Sequence, residues 1–185
     1  MKGGLAILFT GLPSAGKSTL ATALTEHIKN QYGRPVTLLD GDEIRKLLCS
    51  GLGYSKEDRA LNILRNAYVA AQVTRHGGIA ICALIAPHAE IRDTFREWVE
   101  AEQGKFLEVY VATALSVCEE RDAKGLYAKA RAGELKGMTG IDDPYEIPEE
   151  PDLVLDTGGE DINRSLTRLL EWLEGNGYLE ILKRK

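Results

Sequence analysis

Cysteine is scarce in this chain, and the three present are poorly placed for either of its common structural uses. Cys49, Cys82 and Cys118 are odd in number and far apart. That excludes a disulfide framework and a C-x-x-C metal site, and leaves reduced, packed thiols. Positive charge is also short: 23 Lys and Arg against 28 Asp and Glu give a net charge of −5. There is no basic footprint for nucleic acid, so any anion must be held by a local site. No apolar run is long enough to cross a membrane; the longest, Ile79–Ala86, covers less than half a span. Nothing resembling a signal or transit peptide precedes the strand-like run that opens at Leu5. These absences point to a cytoplasmic protein that partners neither nucleic acid nor membrane. Internal repeats and low-complexity tracts are absent as well.

What is present is an alternation of two periods. Strand-like runs fall at Leu5–Thr10, Pro35–Leu39, Ile79–Ile85, Phe106–Val111 and Leu153–Leu155. Helical patterns occupy Lys17–Gln31, Glu43–Cys49, Lys56–Arg75, His88–Ala101 and Asp161–Glu174. Continuous apolar strands separated by helices imply a parallel sheet covered on both faces. At 185 residues the chain is expected to form one domain, 1–185. The expected fold is a three-layer α/β/α domain with a five-stranded, mainly parallel sheet.

Gly11-Leu12-Pro13-Ser14-Ala15-Gly16-Lys17-Ser18-Thr19 matches G-x-x-x-x-G-K-[ST] in full, between a strand and a helix. Glycines let the backbone curl so that successive N–H groups face phosphate oxygens, and the helix N-terminus adds partial positive charge. Lys17 can reach the β- and γ-phosphates, and Ser18 offers a hydroxyl to Mg²⁺. The motif therefore predicts binding of a nucleoside triphosphate, and makes the expected α/β/α domain one of the P-loop NTPase type. Asp40 and Asp42 close the second strand, where a parallel sheet binds its ligands. A carboxylate there can hold a metal or take a proton from an acceptor hydroxyl, although Asp42 also reads as the N-cap of the following helix. Arg45, Arg59 and Arg65 lie within or near helices on the same side, which suggests an anionic acceptor. Residues 121–151 carry glycines, prolines and charges but no strand pattern; a lid that orders over bound nucleotides is the expectation. His27 and His76 read as structural. A substrate contact stays open for His88.

Five ordered segments then resemble a known family. They are Thr10–Thr19; Leu39-Asp40-Gly41-Asp42 with Arg45; Leu52–Arg59 with Asn62 and Arg65; Cys118–Tyr127; and Ala130–Tyr145. Together they resemble adenylylsulfate kinases, which phosphorylate the 3′-hydroxyl of adenosine 5′-phosphosulfate (APS) to give 3′-phosphoadenosine 5′-phosphosulfate (PAPS), in sulfate assimilation. The resemblance implies ATP and Mg²⁺ as cofactors, with Ser18 and Asp42 at the metal. It implies Lys17, Asp40, Asp42 and Lys124 as catalytic groups, with Asp42 serving the 3′-hydroxyl. Arg45, Arg59 and Asn62 would hold the APS phosphosulfate, with Arg65 also on the substrate side; Lys124 and Lys136 would approach from the lid, and Tyr54 and Met138 would face the APS adenine. Arg121 and Thr157 would lie near the ATP adenine. A homodimer is implied, as is a partnership or fusion with ATP sulfurylase.

The chain departs from that pattern in three places. Ala86-Pro87-His88 replaces a segment whose serine is phosphorylated in some members, so transfer is expected to be direct. Met138 stands where the family has a second aromatic. An N-terminal extension common in the family is not expected. Three alternatives remain from the residues: a P-loop kinase for another small hydroxyl acceptor, a GTP-dependent switch reading Asp156-Thr157-Gly158-Gly159, and a catalytically silent domain. The switch lacks an [NT]-K-x-D guanine motif.

Overall fold

Apolar runs without polar interruption become the interior strands of a parallel sheet. The structure, a computed structural model, describes residues 3–179. Strand β1 (Leu5–Thr10) and β3 (Ile79–Ala83) are buried at every position. With β2 (Val36–Asp40), β4 (Lys105–Val111) and β5 (Leu153–Leu155) they form one sheet of order β2-β3-β1-β4-β5. All its pairings are parallel. The expected domain of residues 1–185 extends at both ends outside the described residues.

Alternation along β1 builds two cores. Leu5, Ile7 and Phe9 pack with Leu20, Leu24 and Ile28 of α1 (Lys17–Tyr32) and Leu169 and Leu173 of α7 (Ile162–Gly175). Ala6 and Leu8 pack on the other face with Ile63, Ala67 and Ala70 of α3 (Lys56–Arg75) and Phe95 and Val99 of α4 (Ala89–Ala101). The result is the three-layer arrangement expected. Phe9 pairs with Ala83, and Ala83 with Asp40, so β1, β2 and β3 finish at one edge. That edge carries the chemistry.

Several boundaries differ for local reasons. Helix α2 runs Gly41–Lys46, not Glu43–Cys49, because the Asp40 carboxylate accepts the Asp42 N–H at 3.0 Å and starts the helix early. Asp42 is therefore inside the helix, and the cap is Asp40. Strand β3 stops at Ala83; Leu84 still donates to the Phe9 carbonyl, but Ala86 turns to φ 45°. Two short helices have no counterpart in the sequence reading, α5 (Leu115–Arg121) and α6 (Leu126–Arg131). Residues 121–151 are accordingly not a uniformly solvated excursion. Tyr127 and Met138 are buried in the core on the α1 side of the sheet, and the Tyr127 hydroxyl donates to the Pro13 carbonyl at 3.0 Å.

A buried ion pair braces the β3 edge. Arg92 forms an ion pair with Glu108, Nε to Oε1 at 2.6 Å, and its Nη1 donates to the Ala86 carbonyl at 2.9 Å. Asp152 accepts from Arg96 at 3.2 Å and from the Glu108 backbone N–H at 2.7 Å. Burial pushes the Glu108 carboxyl above its usual range, against the pull of both arginines. Removing one partner leaves the other charge buried without compensation, which typically costs about 3–5 kcal/mol. Glu108→Ala should lower the unfolding free energy by about that amount in urea titrations. A loss within the noise of such titrations would mean that Arg92 finds water once the carboxylate is gone.

Candidate active site

Between β1 and α1 the backbone adopts conformations that L side chains rarely take. Gly11 has φ 150° and Gly16 φ 96°. A Cβ on Gly11 would lie 2.6 Å from the Val111 carbonyl, and one on Gly16 would crowd Thr157 Oγ1 at 3.2 Å. The curl is closed from behind by Thr113 and Thr157, whose hydroxyls donate to the Ala15 carbonyl at 3.0 and 2.7 Å. No side chain caps α1, so its first N–H groups remain available to an anion. Lys17 is buried, and its Nζ donates to the Gly11 and Leu12 carbonyls at 3.0 and 2.7 Å. Burial pulls its pKa down to about 8.

Carboxylates meet this loop from β2 and α2. Ser18 Oγ donates to Asp40 Oδ2 at 2.5 Å, while the other oxygen of Asp40 caps α2. Asp42, two residues on, pairs with Lys124, which reaches over from the segment after α5. A hydroxyl and two carboxylates are hard oxygen donors of the kind Mg²⁺ takes beside nucleotide phosphates. The donor set fits the metal.

A cavity of about 780 Å³ extends from here. Its lining joins Ser14, Lys17, Ser18, Thr19, Asp40 and Asp42 to Arg45, Tyr54, Arg59 and Asn62, and includes Arg121, Lys124 and Thr157. Ser55 caps α3 by accepting the Asp58 N–H at 3.1 Å. That start puts Arg59 and Asn62 three residues apart on one helical face. The Arg45 guanidinium lies 4.6 Å from the centre of the Tyr54 ring and donates to the Gly53 carbonyl at 2.9 Å. Tyr54 is 74% exposed, so its ring lies on the cavity lining and not in the core. Arg121 donates to the hydroxyl and carbonyl oxygens of Thr157 at 3.0 and 2.6 Å.

Three residues expected at the site lie elsewhere. Arg65 donates to the Leu48 carbonyl at 2.8 Å and braces the chain after α2; it does not line the cavity. Lys136 is exposed and likewise outside the lining. Met138, expected to face an adenine, is buried in the core instead, where an apolar thioether gains most. His88 is also outside the lining: it is buried at the N-cap of α4 with Nδ1 3.2 Å from Glu146. Conversely, Thr139 lines the cavity and Thr113 supports the loop, and neither was singled out from sequence. A lone threonine carries no pattern that could have marked it.

Comparison with known proteins follows the same residues. A profile of the family described as adenylylsulphate kinase matches residues 3–156. The chain belongs to that family. An adenylyl-sulfate kinase of Halothermothrix orenii is 47% identical over 178 residues, spanning 96% of this chain and 94% of the relative. A probable bifunctional SAT/APS kinase of Sorangium cellulosum is 49% identical over 95% of this chain, which spans only 29% of that longer protein. The solved APS kinase of Mycobacterium tuberculosis, in complex with AMPPNP and APS, is 38% identical, with a TM-score of 0.87 over 94% of this chain and 99% of that one.

For this adenylylsulphate kinase, the lowered pKa of Lys17 has a measurable consequence. The ammonium loses its proton as pH rises through about 8. Phosphates against it favour the charged form and push the pKa back up. Nucleotide binding near pH 8.5 should therefore take up a fraction of a proton, approaching none at pH 6.5. Calorimetry in buffers of different ionisation enthalpy reads that uptake. Its persistence in Lys17→Arg would assign the proton to another group.

Proposed function

We propose that the chain transfers the γ-phosphate of ATP to the 3′-hydroxyl of APS, giving ADP and PAPS. One observation carries the reading: a single cavity runs from the phosphate loop, past Asp40 and Asp42, to Arg45, Tyr54, Arg59 and Asn62. The family membership and the APS-containing structure of a 38% identical relative support the same acceptor.

The roles follow from charge and reach. The Gly11–Thr19 backbone and Lys17 hold the triphosphate of ATP, and Arg121 and Thr157 stand beside its base. Tyr54 offers a π face to the APS adenine, and Arg45, Arg59 and Asn62 hold its phosphosulfate. Asp42 accepts the proton of the 3′-hydroxyl as its oxygen bonds to the γ-phosphorus and the bond to the bridging oxygen breaks, releasing ADP. Ser18 and Asp42 would hold Mg²⁺, with Asp40 beside them, and the ion supplies neutralisation of charge on the β- and γ-phosphates. Lys124 must give up part of its hold on Asp42 to meet the phosphates. Position 86 is alanine and has no hydroxyl to carry phosphate, so transfer is direct and in line. Residues 121–151 act as the lid that excludes water from the γ-phosphate. A cytoplasmic location, a homodimer and partnership or fusion with ATP sulfurylase complete the proposal; the longer Sorangium relative supports the last of these.

ADP release measured with ATP, Mg²⁺ and a panel of hydroxyl acceptors tests the reading, with APS expected to be turned over far faster than nucleosides, sugar acids or other small alcohols. Rapid turnover of a different acceptor with none of APS would overturn it. Lys17→Ala should lower kcat by several hundred-fold, about 3–4 kcal/mol of transition-state stabilisation. Asp42→Asn should keep ADP affinity and lose at least about 100-fold in kcat. Near-normal turnover in Asp42→Asn would remove that carboxylate from the chemistry.

A further inference from the structure

Arg59 is bound to the protein on one side before any acceptor reaches it. Its Nη1 donates to the Gly137 carbonyl at 3.0 Å and to Thr139 Oγ1 at 3.3 Å, and its Nη2 lies 2.9 Å from Asp143 Oδ2. These acceptors belong to a single turn, residues 137–143, far from α3 in sequence. The turn is closed by its own bonds. Asp142 accepts the Gly137 and Met138 N–H groups at 2.7 and 2.6 Å, and the Met138 carbonyl accepts from Ile141, Asp142 and Asp143. Gly137 and Gly140 take φ 71° and 92°, and Met138 plants its side chain in the core. A rigid hook thus presents a carbonyl, a hydroxyl and a carboxylate to one guanidinium, whose planar fork fits such a set. The side chains of Arg59 and Asp143 are only 14% and 21% exposed; Arg59 Nε and Asp143 Oδ2 are both buried with no hydrogen-bond partner, so Asp143 holds the guanidinium as an ion pair, while Arg59 also lines the cavity.

We propose that Asp143 is a positioning residue for the acceptor anion: together with Gly137 and Thr139 it clamps the outer edge of the Arg59 guanidinium, so that the remaining N–H groups are aimed in advance at the acceptor's phosphosulfate. The proposal rests on the reading that Arg59 binds that anion. An unclamped arginine must be ordered from many rotamers as the acceptor binds, and a side chain of this kind loses appreciable entropy on fixing. The clamp places that ordering in the folding of the hook. It also ties the segment proposed as the lid to the acceptor side of the cavity through one side chain.

The effect should fall on one substrate alone. Asp143→Ala should raise KM for APS about tenfold while KM for ATP and kcat stay within about twofold. Asp143→Asn, which keeps an oxygen acceptor and the fold of the turn, should fall between. Arg59→Lys should raise KM for APS by itself, and in that background Asp143→Ala should add little, because an ammonium has no fork to orient. An unchanged or lowered KM for APS in Asp143→Ala, equal rises in both KM values, or a full effect surviving in Arg59→Lys would each overturn the proposal. Hydrogen exchange supplies a readout without acceptor: Arg59→Lys should speed exchange across residues 137–143 of the ligand-free protein. Unchanged exchange would overturn the clamp itself, whereas wild-type protein that ignores APS would overturn the functional reading beneath it.

Discussion

A buried ammonium held only by neutral oxygens governs this site. Lys17 lies beneath the phosphate loop with two backbone carbonyls as its hydrogen-bond partners. Carbonyl dipoles solvate a cation less well than water does, which is why burial lowers its pKa. In the proposed reaction a polyphosphate supplies the counter-charge that these carbonyls lack. The other cations also rest on protein acceptors, and for Arg59 and Lys124 these include carboxylates. Arg121 rests on threonine oxygens, Arg45 on a carbonyl and an aromatic face, Arg59 on the 137–143 hook, and Lys124 on Asp42. Each has a protein acceptor that keeps it oriented, and each retains donors for an anionic ligand.

The fold exists to hold that arrangement still. Parallel strands in register bring the ends of β1, β2 and β3 to one edge, so the phosphate loop, Asp40 and the Ala83–Pro87 wall meet without long side chains having to span the gap. Two polar braces lie behind this edge. Thr113 and Thr157 fix the loop through the Ala15 carbonyl, and Arg92 with Glu108 fixes the Ala86 turn. Both are buried, where a hydrogen bond lost is not replaced by water.

Much of this was legible in the sequence because the relevant signals are local. A continuous apolar run, a phosphate-loop spacing and a strand-terminal Asp-Gly-Asp each announce themselves within ten residues, and the sheet and the phosphate-loop side of the cavity follow from them. Features that depend on partners distant in the chain were not legible. Asp40, and not Asp42, caps α2, because Ser18 and the capped N–H draw its two oxygens in different directions. Met138 reads as a candidate ring partner but goes to the core, since burial of the thioether wins once the 137–143 turn is closed around it. Arg65 shares its helix with Arg59 and Asn62 yet turns to the Leu48 carbonyl. The polar composition of residues 121–151 hid Tyr127 and Met138, two apolar anchors that tie this segment to the domain.

The central claim is that charge, base recognition and the carboxylate pair converge on one hydroxyl of one nucleotide acceptor. Phosphorus–proton correlation on the product formed from ATP, Mg²⁺ and APS reads that hydroxyl directly. A new monoester phosphorus coupled to the ribose H3′, with the 5′-phosphosulfate intact, is the predicted result. Coupling to H2′, or hydrolysis of ATP to inorganic phosphate with APS unchanged, would contradict it.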